Sequence, residues 1–170
     1  AASDVYKRQR LNDPCNLRLD GKALIDGTAW DYAYVELGDP GIPHAVVPVK
    51  NLRDFDTAKL RELGRRLRYY PEFPKGANVN FYEIIGADHI YERTYERGVE
   101  DFTYACGTGT GSVVTVLTLL GKVSGHQVRV DMTGGQLMVD VEREGNQVTN
   151  LYLTGPTNIV CKGEITDEAL

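Results

Sequence analysis

Apolar and polar residues alternate with a period of two along much of this chain, the spacing of half-buried β-strands. Residues 32–37 (YAYVEL) and 45–49 (AVVPV) read as two strands separated by the turn GDPGIPH. In NVNFYEII, Val79, Phe81, Glu83 and Ile85 fall on one face and Tyr82 and Ile84 on the other, and HIYERTYER follows as a hairpin partner. Val128, Val130 and Met132 alternate, as do Leu137, Val139 and Val141; EREGNQ then forms a hairpin turn and VTNLYL returns. The period changes over residues 57–70, where Leu60, Leu63, Leu67 and Tyr70 share one helical stripe, Asp56 can cap the start and Pro71 ends it.

Residues 112–120 (SVVTVLTLL) are apolar nearly all round. Valine and threonine favour strand and are mediocre helix formers. Gly111-Ser112 before the run and Gly121 after it suit a helix start and stop. Local signals admit a helix buried on every side or a central strand, with the flanking residues favouring the helix. Many strands and two helices give an α+β class with a mostly antiparallel sheet. Residues 1 to about 20 lack apolar periodicity and read as poorly ordered, or as the broken end of a longer protein. The division expected is a remnant over 1–25, a folded lobe over 26–165 and a tail over 166–170.

Composition narrows the partners. The 170 residues are 42% hydrophobic and 25% charged, enough for a core, and the net charge of -5 argues against nucleic acid. The basic cluster Arg61 to Arg68 reads as the wet face of a helix. No apolar run reaches the roughly 18 residues of a membrane span. Cys15, Cys106 and Cys161 form no CxxC pair, which suggests free thiols in a reducing, cytoplasmic compartment. His44, His89 and His126 are scattered, so no metal site is expected.

The distinctive chemistry is in ACGTGTGS, where Cys106 precedes Gly107, Gly109 and Gly111. If a helix begins here, its first turn presents unpaired N–H groups and the positive end of a dipole. Glycines let a ligand approach that backbone, which suits a carboxylate or phosphate. A cysteine at the same point is expected to have its pKa lowered. The alternative is a small buried cysteine on a tight turn. The stretch lacks the lysine of a P-loop and the pattern of a dinucleotide site.

Five pieces in order, GIPHAVV (41–47), FPKGANVNF (73–81), YERGVED (95–101), ACGTGTGS (105–112) and LTGP (153–156), resemble the diaminopimelate epimerase family of pyridoxal-free amino-acid racemases and epimerases. GGQLMVDV (134–141) also fits, and the likeness runs over roughly residues 32–165. The resemblance implies one lobe of a two-lobed fold, with strands wrapped around a central buried helix. It implies cofactor-independent conversion of LL- to meso-diaminopimelate, on the lysine and cell-wall precursor route, by one thiol on each side of the α-carbon. By position, Cys106 is the acid/base thiol of the C-terminal lobe, and Gly107 and Thr108 offer N–H groups to the substrate α-carboxylate. Glu96 and Arg97 contact the substrate's amino and carboxylate groups, Glu96 also tunes the thiol, Asn78 is a substrate-binding amide, and His44 lies near the catalytic thiols. The partners implied are the small amino-acid substrate and a missing N-terminal lobe; a homodimer is compatible.

Three departures matter. No Gly-Asn-Gly-x-x-Cys stretch precedes residue 32, so the chain as given is expected to be inactive by itself. The family's Gly-Asn-Pro-His is Gly41-Ile42-Pro43-His44, which opens the alternative of a racemase for another amino acid. GVEDFTYAC carries one extra residue and Phe102 ahead of the cysteine. A non-catalytic carboxylate-binding lobe is the reading from a different class.

Overall fold

A computed structural model describes residues 5–164 and 166. Its strands are β1 (Val5–Arg10), β2 (Pro14–Ile25), β3 (Thr28–Leu37), β4 (Ile42–Pro48), β5 (Asn78–Gly86), β6 (His89–Tyr95), β7 (Phe102–Thr103), β8 (Val128–Met132), β9 (Gly135–Glu144) and β10 (Gln147–Thr157), with helices α1 (Thr57–Arg68) and α2 (Gly107–Leu119). They form one sheet in the order β1-β10-β9-β8-β6-β5-β4-β3-β2, with β7 added beside β6. The expected antiparallel pairing holds except for β4 with β5 and β6 with β8, which are parallel.

The sheet wraps around α2. Val113, Val114, Val116 and Leu117 are buried among Val35, Val46, Ile90, Val130, Val139 and Leu151. Burying each such side chain contributes about 1.5–3 kcal/mol, whereas a β-branched residue in a helix costs at most about 0.7 kcal/mol. Tertiary burial therefore decides the local ambiguity in favour of a helix. The helix also begins earlier than residue 112: the glycines at 107, 109 and 111 are part of it, not a turn ahead of it.

α1 lies on the other face. Leu60, Leu63 and Leu67 pack with Ala45, Val47, Val79 and Phe81, and the Asp56 side chain accepts from Lys59 N–H at 2.8 Å to cap the start. Its basic residues are indeed a solvated face: Arg65 and Arg66 pair with Glu62, and Arg61 with Asp101.

The N-terminal expectation needs correction. Residues 5–10 pair with β10 and residues 14–25 with β3. Two register shifts interrupt the β2 ladder, which breaks the simple alternation a sequence reading relies on. Residues 1–4 and nearly all of the 166–170 tail lie outside the described residues.

Candidate active site at the N-terminus of the buried helix

The alternation of β4, β5 and β6 carries polar residues onto the α2 side at one end of the sheet. His44, Asn78, Asn80, Glu92 and Thr94 are all buried, and their sheet partners are His44 with Asn78 and Asn80 with Thr94. The intervening Val79, Phe81 and Tyr95 belong to the α1 side.

Two contacts set where Cys106 sits. Phe102 in β7 packs edge-on to Tyr95 with ring centroids 6.0 Å apart, and lies 6.3 Å from Phe81. Gly134 N–H donates to Tyr104 O at 2.7 Å. Phe102 thus anchors the loop to the sheet. Cys106 is then the N-cap of α2, with extended backbone and no side-chain cap bond.

The thiol is half-buried. Its neighbours are the Gly109 N–H, which donates to it, and Thr108 Oγ1 at 3.7 Å. Gly107 and Thr108 open the helix, where N–H groups have no intrahelical acceptor. The expected lowering of the thiol pKa is not found. Burial pushes Cys106 up to about 11, the carboxylates of Glu92 and Glu96 add to the rise, and the Thr108 and Gly109 bonds only partly oppose it. Removing solvent from the thiolate outweighs the donors at the helix end.

The other expected residues converge on the same place. His44 is fully buried; its Nδ1 lies 2.9 Å from Asn80 Oδ1, and Nε2 has no partner. Burial holds His44 down at about 4, and the nearby Arg97 charge adds to the effect. Asn78 is a clamp: its Oδ1 accepts from Arg97 N–H at 2.8 Å and its Nδ2 donates to Pro43 O at 3.2 Å. Glu96 is half-buried, close enough for its charge to raise the thiol. The exposed Arg97 donates through Nη1 to Lys75 O at 3.0 Å. Ile42 opens β4 beside these residues and is partly exposed.

Sequence reading missed Asn80, Glu92, Thr94 and Thr110. Asn80 Nδ2 donates to Glu92 Oε1 at 2.9 Å and to Thr94 Oγ1 at 2.7 Å. Thr110 Oγ1 lies 2.9 Å from Glu92 Oε2 and 3.0 Å from Cys106 O. The available signal was that Asn80 shares the pleat face of Asn78, two residues away. The described residues include no cluster of His, Cys, Asp and Glu able to bind a metal. No helix among them is long and apolar enough to cross a membrane. All three cysteines are free.

Comparison with known proteins shows what the chain is similar to. The family model described as diaminopimelate epimerase matches residues 38–160. A diaminopimelate epimerase of Chlorobaculum tepidum is 42% identical over 143 residues, covering 84% of this chain and 52% of that protein. One from Leptospira biflexa is 37% identical over 141 residues, covering 83% of this chain and 46% of its own length. The chain spans about half the length of these curated relatives. Among solved structures, a hydroxyproline epimerase from Agrobacterium vitis superposes with a TM-score of 0.68 at 18% identity, over 89% of this chain and 49% of that one. A probable proline racemase from Agrobacterium radiobacter K84 gives 0.66 at 20% identity, over 95% and 54%. These last two share the fold.

Proposed function

The chain belongs to the diaminopimelate epimerase family, and from that premise we propose that it is the Cys106-bearing half of an enzyme that inverts the α-carbon of an amino acid, converting LL- to meso-diaminopimelate without a cofactor. The observation that carries this reading is the placement of the Cys106 thiol at the N-terminus of a buried helix, beside N–H groups that have no intrahelical acceptor.

The α-proton of an amino acid is weakly acidic, so the carbanion needs preorganised donors in a site that excludes water. Gly107 and Thr108 supply such donors to the substrate α-carboxylate. Glu96 receives the α-ammonium, and Arg97, exposed and with one nitrogen committed to Lys75 O, offers its remaining donors to carboxylate. Asn78 keeps one amide hydrogen after bonding Pro43 O. With its pKa up near 11, Cys106 rests as a thiol and delivers a proton to one face of the α-carbon. A second thiol, borne by the part of the full-length protein that this chain does not match in its relatives, removes the α-proton from the other face as a thiolate. The two sulfurs exchange protonation states in the process, and the reverse reaction exchanges their roles.

The test is stereochemical. The full-length protein incubated with LL-diaminopimelate should yield the meso isomer on chromatographic separation, and a panel of single-centre amino acids should remain unchanged. Ile42, apolar at the mouth of β4, supports a second reading, a racemase for another amino acid. Inversion of a panel member in place of diaminopimelate would select it.

A further inference from the structure

Glu92 is a buried carboxyl without a cation. It is 2% exposed, and among the described residues no salt bridge includes it. Its hydrogen-bond partners are all neutral: Asn80 Nδ2 and Thr94 Oγ1 at Oε1, 2.9 and 3.1 Å away, and Thr110 Oγ1 at Oε2, 2.9 Å away. The titratable and charged side chains around the network are Cys106 at the N-cap of α2, His44 of β4 and Tyr82 of β5, the sheet partner of Glu92, with Arg97 acting on His44 and Glu96 on Cys106.

The burial of Glu92 away from any cation favours its neutral form, and the network has room for the proton. Thr110 has one hydroxyl hydrogen and lies within bonding distance of Glu92 Oε2 and of Cys106 O, which already accepts from the Thr110 N–H at 2.8 Å. A proton on Oε2 fits this geometry, because Glu92 then donates to Thr110 and Thr110 donates a second bond to Cys106 O. At Oε1, Thr94 donates to Glu92 and accepts from Asn80. With both hydrogens of Asn80 Nδ2 facing this cluster, Asn80 Oδ1 must face His44 and accept from Nδ1–H. His44 Nε2 is therefore the nitrogen with the bare lone pair, and it is buried without a partner.

We propose that Glu92 is a positioning residue of the site, carrying its own proton and fixing at once the first turn of α2, through Thr110, and the tautomer of His44, through Asn80. Its consequence for turnover rests on the epimerase reading; its protonation and the tautomer do not. Burial raises the Glu92 carboxyl from 4.5 to about 7, against the opposing bonds from Thr110, Asn80 and Thr94, in accord with its seclusion from any cation. Ionisation places a negative charge behind Cys106, which is part of what raises the thiol after burial itself. A glutamine can reproduce the neutral acid's pattern, with Nε2 donating to Thr110 and Oε1 accepting from Asn80 and Thr94. Leucine cannot.

The experiment is infrared and nitrogen-15 histidine spectroscopy on the full-length protein, as wild type, Glu92→Gln and Glu92→Leu. The wild type should show a protonated-carboxyl C=O band that is lost as pH rises through about 7 and is missing from Glu92→Gln. His44 should be a single Nδ1–H tautomer in the wild type and in Glu92→Gln, and a mixture in Glu92→Leu. A wild type without the band on the acid side of neutrality, or a Glu92→Gln protein with mixed His44 tautomers, overturns the proposal. The wild-type spectra decide even if Glu92→Leu fails to fold. A protein with the band and the tautomer that leaves diaminopimelate unchanged would keep the role of Glu92 and remove the substrate assignment.

Discussion

Gly109 faces Asn80 so closely that a Cβ on it would lie 2.2 Å from the Asn80 amide nitrogen and 3.1 Å from Cys106 Sγ. The first turn of α2 rests directly on the polar network beneath it, and only a residue without a side chain permits that approach. Asn80 cannot swing aside at low cost, because its amide is bonded to His44, Glu92 and Thr94. Gly109→Ala should therefore destabilise the fold by about 1–3 kcal/mol and displace the thiol. Urea denaturation and the rate of Cys106 alkylation would both register the change; a variant matching the wild type in both would contradict this packing.

Asn80 is the hub of the network. Asn80→Leu should cost about 2–4 kcal/mol, since it leaves buried His44 and Glu92 groups without partners. The loss should exceed that of Asn78→Leu measured on the same scale, because Asn78 bonds only the backbone of Pro43 and Arg97. Equal losses would mean that the network has no energetic centre.

Stability and pH are linked through two opposed groups. His44 falls from 6.5 to about 4 on folding, so its contribution is present above about 6.5 and is lost as pH falls through about 4. Glu92 rises from 4.5 to about 7, so its contribution is present below about 4.5 and is lost as pH rises through about 7. The two slopes oppose each other between roughly pH 4.5 and 6.5. In Glu92→Gln only the His44 slope remains, so stability should climb with pH through that window by about 3 kcal/mol. Denaturation curves at a series of pH values would show it, and a Glu92→Gln profile parallel to the wild type would refute it.

Glu96 raises the Cys106 thiol through its charge. Glu96→Gln should move the pH midpoint of Cys106 alkylation down from about 11, making the thiol faster to label at any given pH below it. Peptide mapping separates this signal from Cys15 and Cys161. An unchanged midpoint would place the Glu96 charge too far from the sulfur to matter.

Much of this was legible in the chain. Alternation gave β3 to β6 and β8 to β10, because one-sided burial writes a period of two, and the leucines of α1 mark its stripe. The candidate site at Cys106 could be singled out because a thiol beside glycines is unusual. Three features were hidden for physical reasons. The helical state of α2 depends on a sheet closing around it, which no local window contains. The ladder of β2 is interrupted by register shifts, so its alternation fails. The thiol pKa follows from burial and from Glu92, a residue fourteen positions earlier whose approach to Cys106 is created only by the packing of β6 on α2.

The central claim is that Cys106 moves a proton to and from an α-carbon, and solvent-hydrogen exchange tests it most directly. The full-length protein in deuterium oxide, given LL-diaminopimelate, should incorporate deuterium at the α-carbon of the product, as followed by proton NMR. Cys106→Ala should abolish inversion. Unimpaired inversion by Cys106→Ala, with deuterium still appearing in the product, would contradict the account.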